Sequence, residues 1–140
     1  MPAQQEQNTT IVIFGASGDL TRTKLIPALY RLFIQQKLPP QFKIVGYARR
    51  PYSHDDFREQ MLDGSRKSLK DDYNDADWKR FREIMWYSRG DLATLEDFKS
   101  LESFLDELNP EGGNRLYYLA TAPEYYGPVV DNLSEIHATS

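Results

Sequence analysis

The sequence contains no cysteine, which removes disulfides, zinc–thiolate sites, iron–sulfur clusters and cysteine nucleophiles together. Histidine is scarce, with only His54 and His137. Cations are in the minority: 17 Lys and Arg stand against 21 Asp and Glu, a net charge of −4. That balance lacks the basic footprint a phosphate backbone demands, so no nucleic-acid partner is expected. No apolar run approaches the roughly 18 residues of a membrane-crossing helix. The polar residues 1–8 have neither the basic region nor the apolar stretch of a signal peptide. These absences argue against a membrane partner and, by elimination, for a cytoplasmic location. What remains is ordinary for a globular protein, 40% hydrophobic and 27% charged residues in a chain of 140. That length suits one domain with its own core.

Along the chain, short β-branched runs alternate with helical periods. Residues 1–10 read as a disordered polar lead, and residues 11–140 as one domain. Ile11-Val12-Ile13-Phe14, closed by Gly15, suits a strand buried on both faces. From Leu20 the apolar residues Leu25, Leu29, Leu32 and Phe33 recur at helical spacing, and Pro27 inside them predicts a kink rather than an end. Phe42 to Tyr47 predicts a second strand, Ile84 to Tyr87 a third and Arg115 to Ala120 a fourth. Ser53 with Asp56 forms a capping-box pattern, and Thr94 with Asp97 marks another helix start. The end of the helix after Ser53 is blurred by Gly64 and the polar stretch to Tyr73, an amphipathic piece spans Trp78 to Phe81, and a last helix spans Glu124 to His137. Four β-α repeats in this order predict an α/β fold: a doubly wound, Rossmann-like parallel sheet of about four strands, with helices on both faces.

The chemistry is concentrated in Gly15-Ala16-Ser17-Gly18-Asp19-Leu20-Thr21, between the first strand and the first helix. A turn this tight needs residues with little or no Cβ, brings backbone N–H groups close to an anion, and has a helix N-terminus behind it. A pyrophosphate is the natural occupant; a plain strand-to-helix turn is the alternative. The spacing matches neither G-x-G-x-x-G nor a Walker A loop. Asp19 is electrostatically odd beside phosphate, yet as an early helix residue it complements the helix dipole and can accept from backbone donors. The second strand ends in Tyr47-Ala48-Arg49-Arg50, with no carboxylate before Asp55. A carboxylate there would hold the ribose 2′-OH of NAD, whereas guanidinium groups suit the 2′-phosphate of NADP. Ser17 offers a hydroxyl to the same group, and a solvated basic surface pair is the plainer account of Arg49 and Arg50.

These residues resemble the glucose-6-phosphate dehydrogenase family. The resemblance rests on Gly-Ala-Ser-Gly-Asp-Leu-Thr-Arg-Thr-Lys at 15–24, Leu-Ile-Pro-Ala-Leu-Tyr at 25–30, Ile-Val-Gly-Tyr-Ala-Arg at 44–49, Gly90-Asp91-Leu92, and Arg-Leu-Tyr-Tyr-Leu-Ala-Thr at 115–121. It implies that Gly15, Ala16, Ser17, Gly18, Asp19, Leu20, Thr21 and Arg22 form the phosphate-binding turn. Arg49 would hold the 2′-phosphate, Gly90 and Asp91 would line the adenosine side, and Lys24 would face both cofactor and sugar phosphate. Ala120, Thr121 and Pro123 would lie beneath the nicotinamide, with Tyr126 at its edge. The family oxidises glucose 6-phosphate to 6-phosphogluconolactone and passes hydride to NADP.

The family's sugar-phosphate motif (Glu-Lys-Pro-Phe-Gly) and catalytic-histidine motif (Asp-His-Tyr-Leu-Gly-Lys) do not occur here, so no catalytic residue is assigned in this chain. His54 and His137 read as surface residues. The expectation is therefore the NADP-binding piece of such an enzyme, binding cofactor but inactive alone, without the sugar-phosphate and catalytic domain. The fourth strand becomes an exposed edge that invites self-association, and the parent is expected to be a homo-oligomer. A stand-alone NADP(H) sensor regulating a partner protein is a competing expectation; Lys24, with no sugar to face in a sensor, weighs against it. A reductase of another Rossmann family is disfavoured, because no Tyr-x-x-x-Lys pair is found.

Overall fold

The fold was analysed in a computed structural model, which describes residues 8–138. Four strands, β1 (Thr9–Phe14), β2 (Phe42–Ala48), β3 (Met85–Arg89) and β4 (Asn114–Leu119), form one sheet in the order β3-β2-β1-β4. Every pairing is parallel, with Ile11 opposite both Ile44 and Leu116. The α/β, doubly wound architecture expected from the alternation is present. Thr9 and Thr10 belong to β1 and are buried, so the ordered chain starts earlier than the polar lead suggested. Threonine is β-branched and fits a pleated surface despite its hydroxyl; the buried Asn109 amide donates to the Thr10 hydroxyl at 2.9 Å. Residues 1–7 of the expected lead lie outside the described residues.

Alternation along β1 divides the core in two. Ile11 and Ile13 pack with Ile44, Phe57, Met61 and Phe81 under α1 (Ile26–Ile34), α2 (His54–Leu69) and α3 (Asp75–Phe81). Val12 and Phe14 pack with Val45, Tyr47, Phe98 and Leu101 under α4 (Leu95–Leu108) and α5 (Tyr126–Ala138). The period of two in a strand sends successive side chains to opposite faces, which is why a continuous apolar run serves both layers.

The two sheet edges are built differently. At β3, the Tyr87 N–H donates to His54 Nδ1 at 2.9 Å and the Met85 carbonyl accepts from Arg58 Nε at 2.9 Å. Both caps come from α2, so His54 is exposed, as expected, and also seals an edge. Burial, then the nearby Arg58 charge, push the His54 pKa below the ordinary histidine value, which keeps Nδ1 an acceptor. At β4, Leu116 and Tyr118 are 54% and 39% exposed, and no such side-chain cap is found among the described residues.

The irregularity expected at Pro27 takes the form of a π turn (Thr21–Leu25) leading into α1, with the Ile26 N–H reaching back five residues to the Thr21 carbonyl. Proline has no N–H and crowds the carbonyl four residues before it, so a normal turn cannot close there. The carbonyls of Arg22 and Thr23 accept instead from the Ser65 and Ser68 hydroxyls of α2, at 3.4 and 2.8 Å. Gly64 does not end α2, which continues to Leu69. A Cβ at Gly64 would stand 2.8 Å from Cβ, Cγ and the carbonyl oxygen of Arg22, so the glycine marks close packing rather than a break.

The capping box at Ser53 and Asp56 is complete, with bonds of 3.0 and 3.2 Å. Thr94 is the N-cap of α4 but makes no side-chain cap: the Asp97 N–H donates to the Thr94 carbonyl at 3.1 Å, and the Asp97 carboxylate, which would complete a capping box, accepts from the Asp91 N–H instead.

Candidate functional site

At the carboxyl end of the sheet, where open α/β sheets hold ligands, lies a cavity of about 560 Å³. It is lined by Gly15, Ser17 and Gly18 of the first turn, Ala48, Arg49 and Arg50 after β2, Asp91 and Leu92 after β3, and Thr121, Ala122 and Tyr125 after β4. A second cavity of about 430 Å³ adjoins it, bounded by Arg49, Arg89, Gly90, Asp91 and Asp97.

The turn is pinned before it meets any ligand. The amides of Gly15 and Ala16 donate to the Tyr47 carbonyl at 2.9 and 3.2 Å, and the Gly18 amide to the Gly15 carbonyl at 3.1 Å. Gly15 has φ +83°, and a Cβ there would sit 2.6 Å from the Ala120 carbonyl oxygen. Only glycine combines that backbone with that proximity. Ala16 and Thr21 are buried beneath the turn, and the Thr21 hydroxyl reaches the Gly15 carbonyl at 3.5 Å. The first amides of the following helical segment have no intrahelical acceptor and are available to an anion.

Asp19, Leu20, Arg22 and Lys24 do not line the cavity. The Asp19 carboxylate accepts from Arg22 Nε at 3.0 Å rather than from backbone donors, forming an exposed ion pair one turn apart. Leu20 is 48% exposed. Lys24 is an exposed residue of the π turn, with no ion-pair partner among the described residues. Ala120 lies against Gly15, while its successors Thr121 and Ala122 reach the cavity. Tyr125, not Tyr126, borders it, and Pro123 opens a short 3₁₀ turn instead of lining it.

Two tyrosines set the far wall. The single hydroxyl proton of Tyr87 is shared between the carbonyls of Ala48 at 3.0 Å and Arg50 at 2.7 Å, and Arg89 Nε donates to the Arg49 carbonyl at 3.1 Å. The carbonyls of Ala48, the last residue of β2, and of Arg49 and Arg50 after it are thus held by side chains from β3. The Tyr47 hydroxyl donates to the Asp91 carbonyl at 2.8 Å. Burial, with a smaller push from the Tyr52 side chain, raises the Tyr87 hydroxyl to about 12. Burial and then the Asp97 and Asp91 charges raise Tyr47 as well, so both stay protonated donors. The Asp97 carboxylate accepts the Asp91 N–H at 2.8 Å, and the Asp91 carboxylate accepts the Ala93 N–H at 2.8 Å. These second-layer residues fall on strands and a helix where the sequence showed only packing and a cap.

His54 is committed to the β3 edge and His137 lies 3.8 Å from Glu102, so neither borders the cavity. Among the described residues there is no cluster of His, Asp and Glu that could hold a metal ion, and no helix long and apolar enough to cross a membrane.

Residues 12–140 match the profile of the family described as glucose-6-phosphate dehydrogenase, NAD binding domain. A glucose-6-phosphate 1-dehydrogenase of Chlamydia muridarum is 39% identical over 128 residues, covering 89% of this chain and 25% of that protein. The enzyme of Schizosaccharomyces pombe is 36% identical over 132 residues, 93% of this chain and 26% of the relative. A solved glucose-6-phosphate dehydrogenase, in complex with its substrate glucose 6-phosphate, superposes with a TM-score of 0.81 at 35% identity, over 93% of this chain and 28% of that one. The chain therefore spans about a quarter of the length of these curated relatives. On the match across nearly its whole length, it belongs to the glucose-6-phosphate dehydrogenase NAD-binding domain family.

Proposed function

We propose that this chain is the NADP-binding domain of a glucose-6-phosphate dehydrogenase, the enzyme that oxidises glucose 6-phosphate to 6-phosphogluconolactone. The carrying observation is the cavity that joins the pinned glycine turn to Arg49 and Arg50. Gly15, Ser17 and Gly18 would receive the pyrophosphate against the helix start. Arg49, with Ser17, would receive the 2′-phosphate, since the guanidinium fork matches phosphate geometry. Gly90 and Asp91 would flank the adenosine, and Ala120 and Thr121 the nicotinamide. Asp19, Leu20, Thr21 and Arg22 would shape the turn from behind, and Lys24 would meet the sugar phosphate beyond the cavity. Bound NADP⁺ supplies the hydride acceptor; the side chains named here bind and orient it. No group at the cavity is placed as a base, so the chain alone should bind cofactor and turn nothing over.

The domain proposed starts with β1 at Thr9 rather than at residue 11 and runs to residue 140, working in the cytoplasm as part of a homo-oligomeric parent. The contrast between a capped β3 and an open, half-apolar β4 supports self-association of the isolated chain through β4. A clean monomer at high concentration in light scattering would refute that part.

The main reading is tested by calorimetric titration with NADP⁺ and NAD⁺. Tighter NADP⁺ binding, reduced to the level of NAD⁺ by Arg49→Ala, is expected. Equal binding of the two by the unaltered chain would overturn the 2′-phosphate assignment.

A further inference from the structure

We infer that Asp91 is a specificity-determining residue: an internal counter-ion to Arg49 that limits what the chain gains from a 2′-phosphate. This rests on the dinucleotide reading above. Three guanidinium groups gather where β2 and β3 end, and Arg49 and Asp91 are shared by both cavities. Asp91 Oδ2 stands 3.8 Å from Arg49 Nη1.

The carboxylate cannot easily swing away. Its own N–H is held by Asp97, its carbonyl by Tyr47, and its Oδ1 by the Ala93 amide, each at 2.8 Å. Oδ2 is left aimed at Arg49. That arginine side chain is 78% exposed. An exposed pair of this kind is weak, so a phosphate carrying about −1.5 to −2 displaces the carboxylate as the partner of Arg49. The phosphate then sits close to a negative charge whose carboxylate is held by the Ala93 amide and whose backbone is held by Asp97 and Tyr47. A ribose 2′-hydroxyl meets no such repulsion and can donate to the same carboxylate. Asp91 thus weakens phosphate binding selectively and narrows the gap between the phosphorylated and unphosphorylated nucleotide.

The test uses the adenosine half alone, comparing 2′,5′-ADP with 5′-AMP by calorimetry on this chain. Asp91→Asn removes the charge while leaving an oxygen for the Ala93 amide. Coulomb's law at near-aqueous dielectric gives about a three- to tenfold gain in 2′,5′-ADP affinity, while 5′-AMP, whose 2′-hydroxyl loses a carboxylate acceptor, does not gain, so the ratio of the two affinities rises. Asp91→Ser should repeat the gain, and Asp91→Glu, which keeps the charge, should not. Melting temperatures report that each variant is folded. If Arg49→Ala erases the preference for 2′,5′-ADP while both neutral Asp91 variants leave it within twofold, the counter-ion role is wrong and the binding site stands. If the unaltered chain binds both nucleotides equally, the 2′-phosphate assignment fails and this inference falls with it; if it binds neither, the dinucleotide reading itself fails.

Discussion

Replacing Ser68 by alanine isolates the link between Pro27 and the helix that faces it. Ser68 donates at 2.8 Å to the Thr23 carbonyl, the acceptor that the proline, four residues on, cannot serve. Losing a partner for a partly buried carbonyl costs about 1–3 kcal/mol. Alanine returns roughly 0.5 kcal/mol of helix propensity over serine, so the single variant should lose about 1 kcal/mol or slightly more. Propensity cancels in a double-mutant cycle with Pro27→Ala. Alanine at 27 restores an N–H that can reach Thr23 directly and lets the π turn relax to a regular one. Ser68→Ala should then cost at least 0.5 kcal/mol less in the Pro27→Ala background, above the usual non-additivity of independent sites. Urea denaturation of the four proteins, with slopes checked for constancy, gives the coupling. Equal costs in both backgrounds would refute the idea that α2 completes the π turn.

Other expected outcomes follow from the same geometry. Gly15→Ala combines a left-handed backbone with a clash against the Ala120 carbonyl; it should cost about 2–4 kcal/mol in chemical denaturation. A loss under about 1 kcal/mol would mean the turn is plastic. Because the folded pKa of His54 is lowered, its stabilising contribution is complete above the unfolded value of about 6.5 and declines as pH falls below it. His54→Ala should flatten the fall in unfolding midpoint between pH 7.5 and 5.5, and an unchanged slope would contradict the edge-capping role. Tyr87→Phe removes the one hydroxyl donor shared between the Ala48 and Arg50 carbonyls. It should weaken NADP⁺ binding severalfold while Gly15 and Ser17 remain in place; unaltered affinity would show that the loop holds its shape without the hydroxyl.

Much of the architecture was legible because the strands are apolar enough to be recognised without partners. Ile11-Val12-Ile13-Phe14 can only be buried on both faces, and that alone argues for helices above and below. The glycine turn was legible for a local reason too, since the positive φ at Gly15 is a demand on one residue type. The wall opposite was not. Tyr47 and Tyr87 sit in apolar strands as packing residues would, and only the sheet register brings their hydroxyls to Asp91, Ala48 and Arg50. The role of Asp97 was hidden by the Thr94-x-x-Asp97 helix-start pattern, which assigns its carboxylate to the cap, whereas that carboxylate accepts from the amide of Asp91, six residues earlier, in the loop after β3. Gly64 looked like a helix end because its reason is a contact with Arg22, 42 positions away in the sequence (64 − 22) and invisible to local pattern. Arg22 and Lys24 illustrate the limit of motif reading: the motif fixed their neighbourhood, while the π turn decided which way they face.

The central claim is that the pinned glycine turn and the Arg49 corner form one dinucleotide site. Amide NMR of the labelled chain, titrated with NADP⁺, tests it most directly. The account predicts that the largest shifts fall together on Gly15, Ser17, Gly18, Arg49 and Asp91, with one common affinity, while Ser65 and Ser68 on the buttressing helix move little. Shifts confined to the β4 edge, or none at the turn under saturating cofactor, would contradict it.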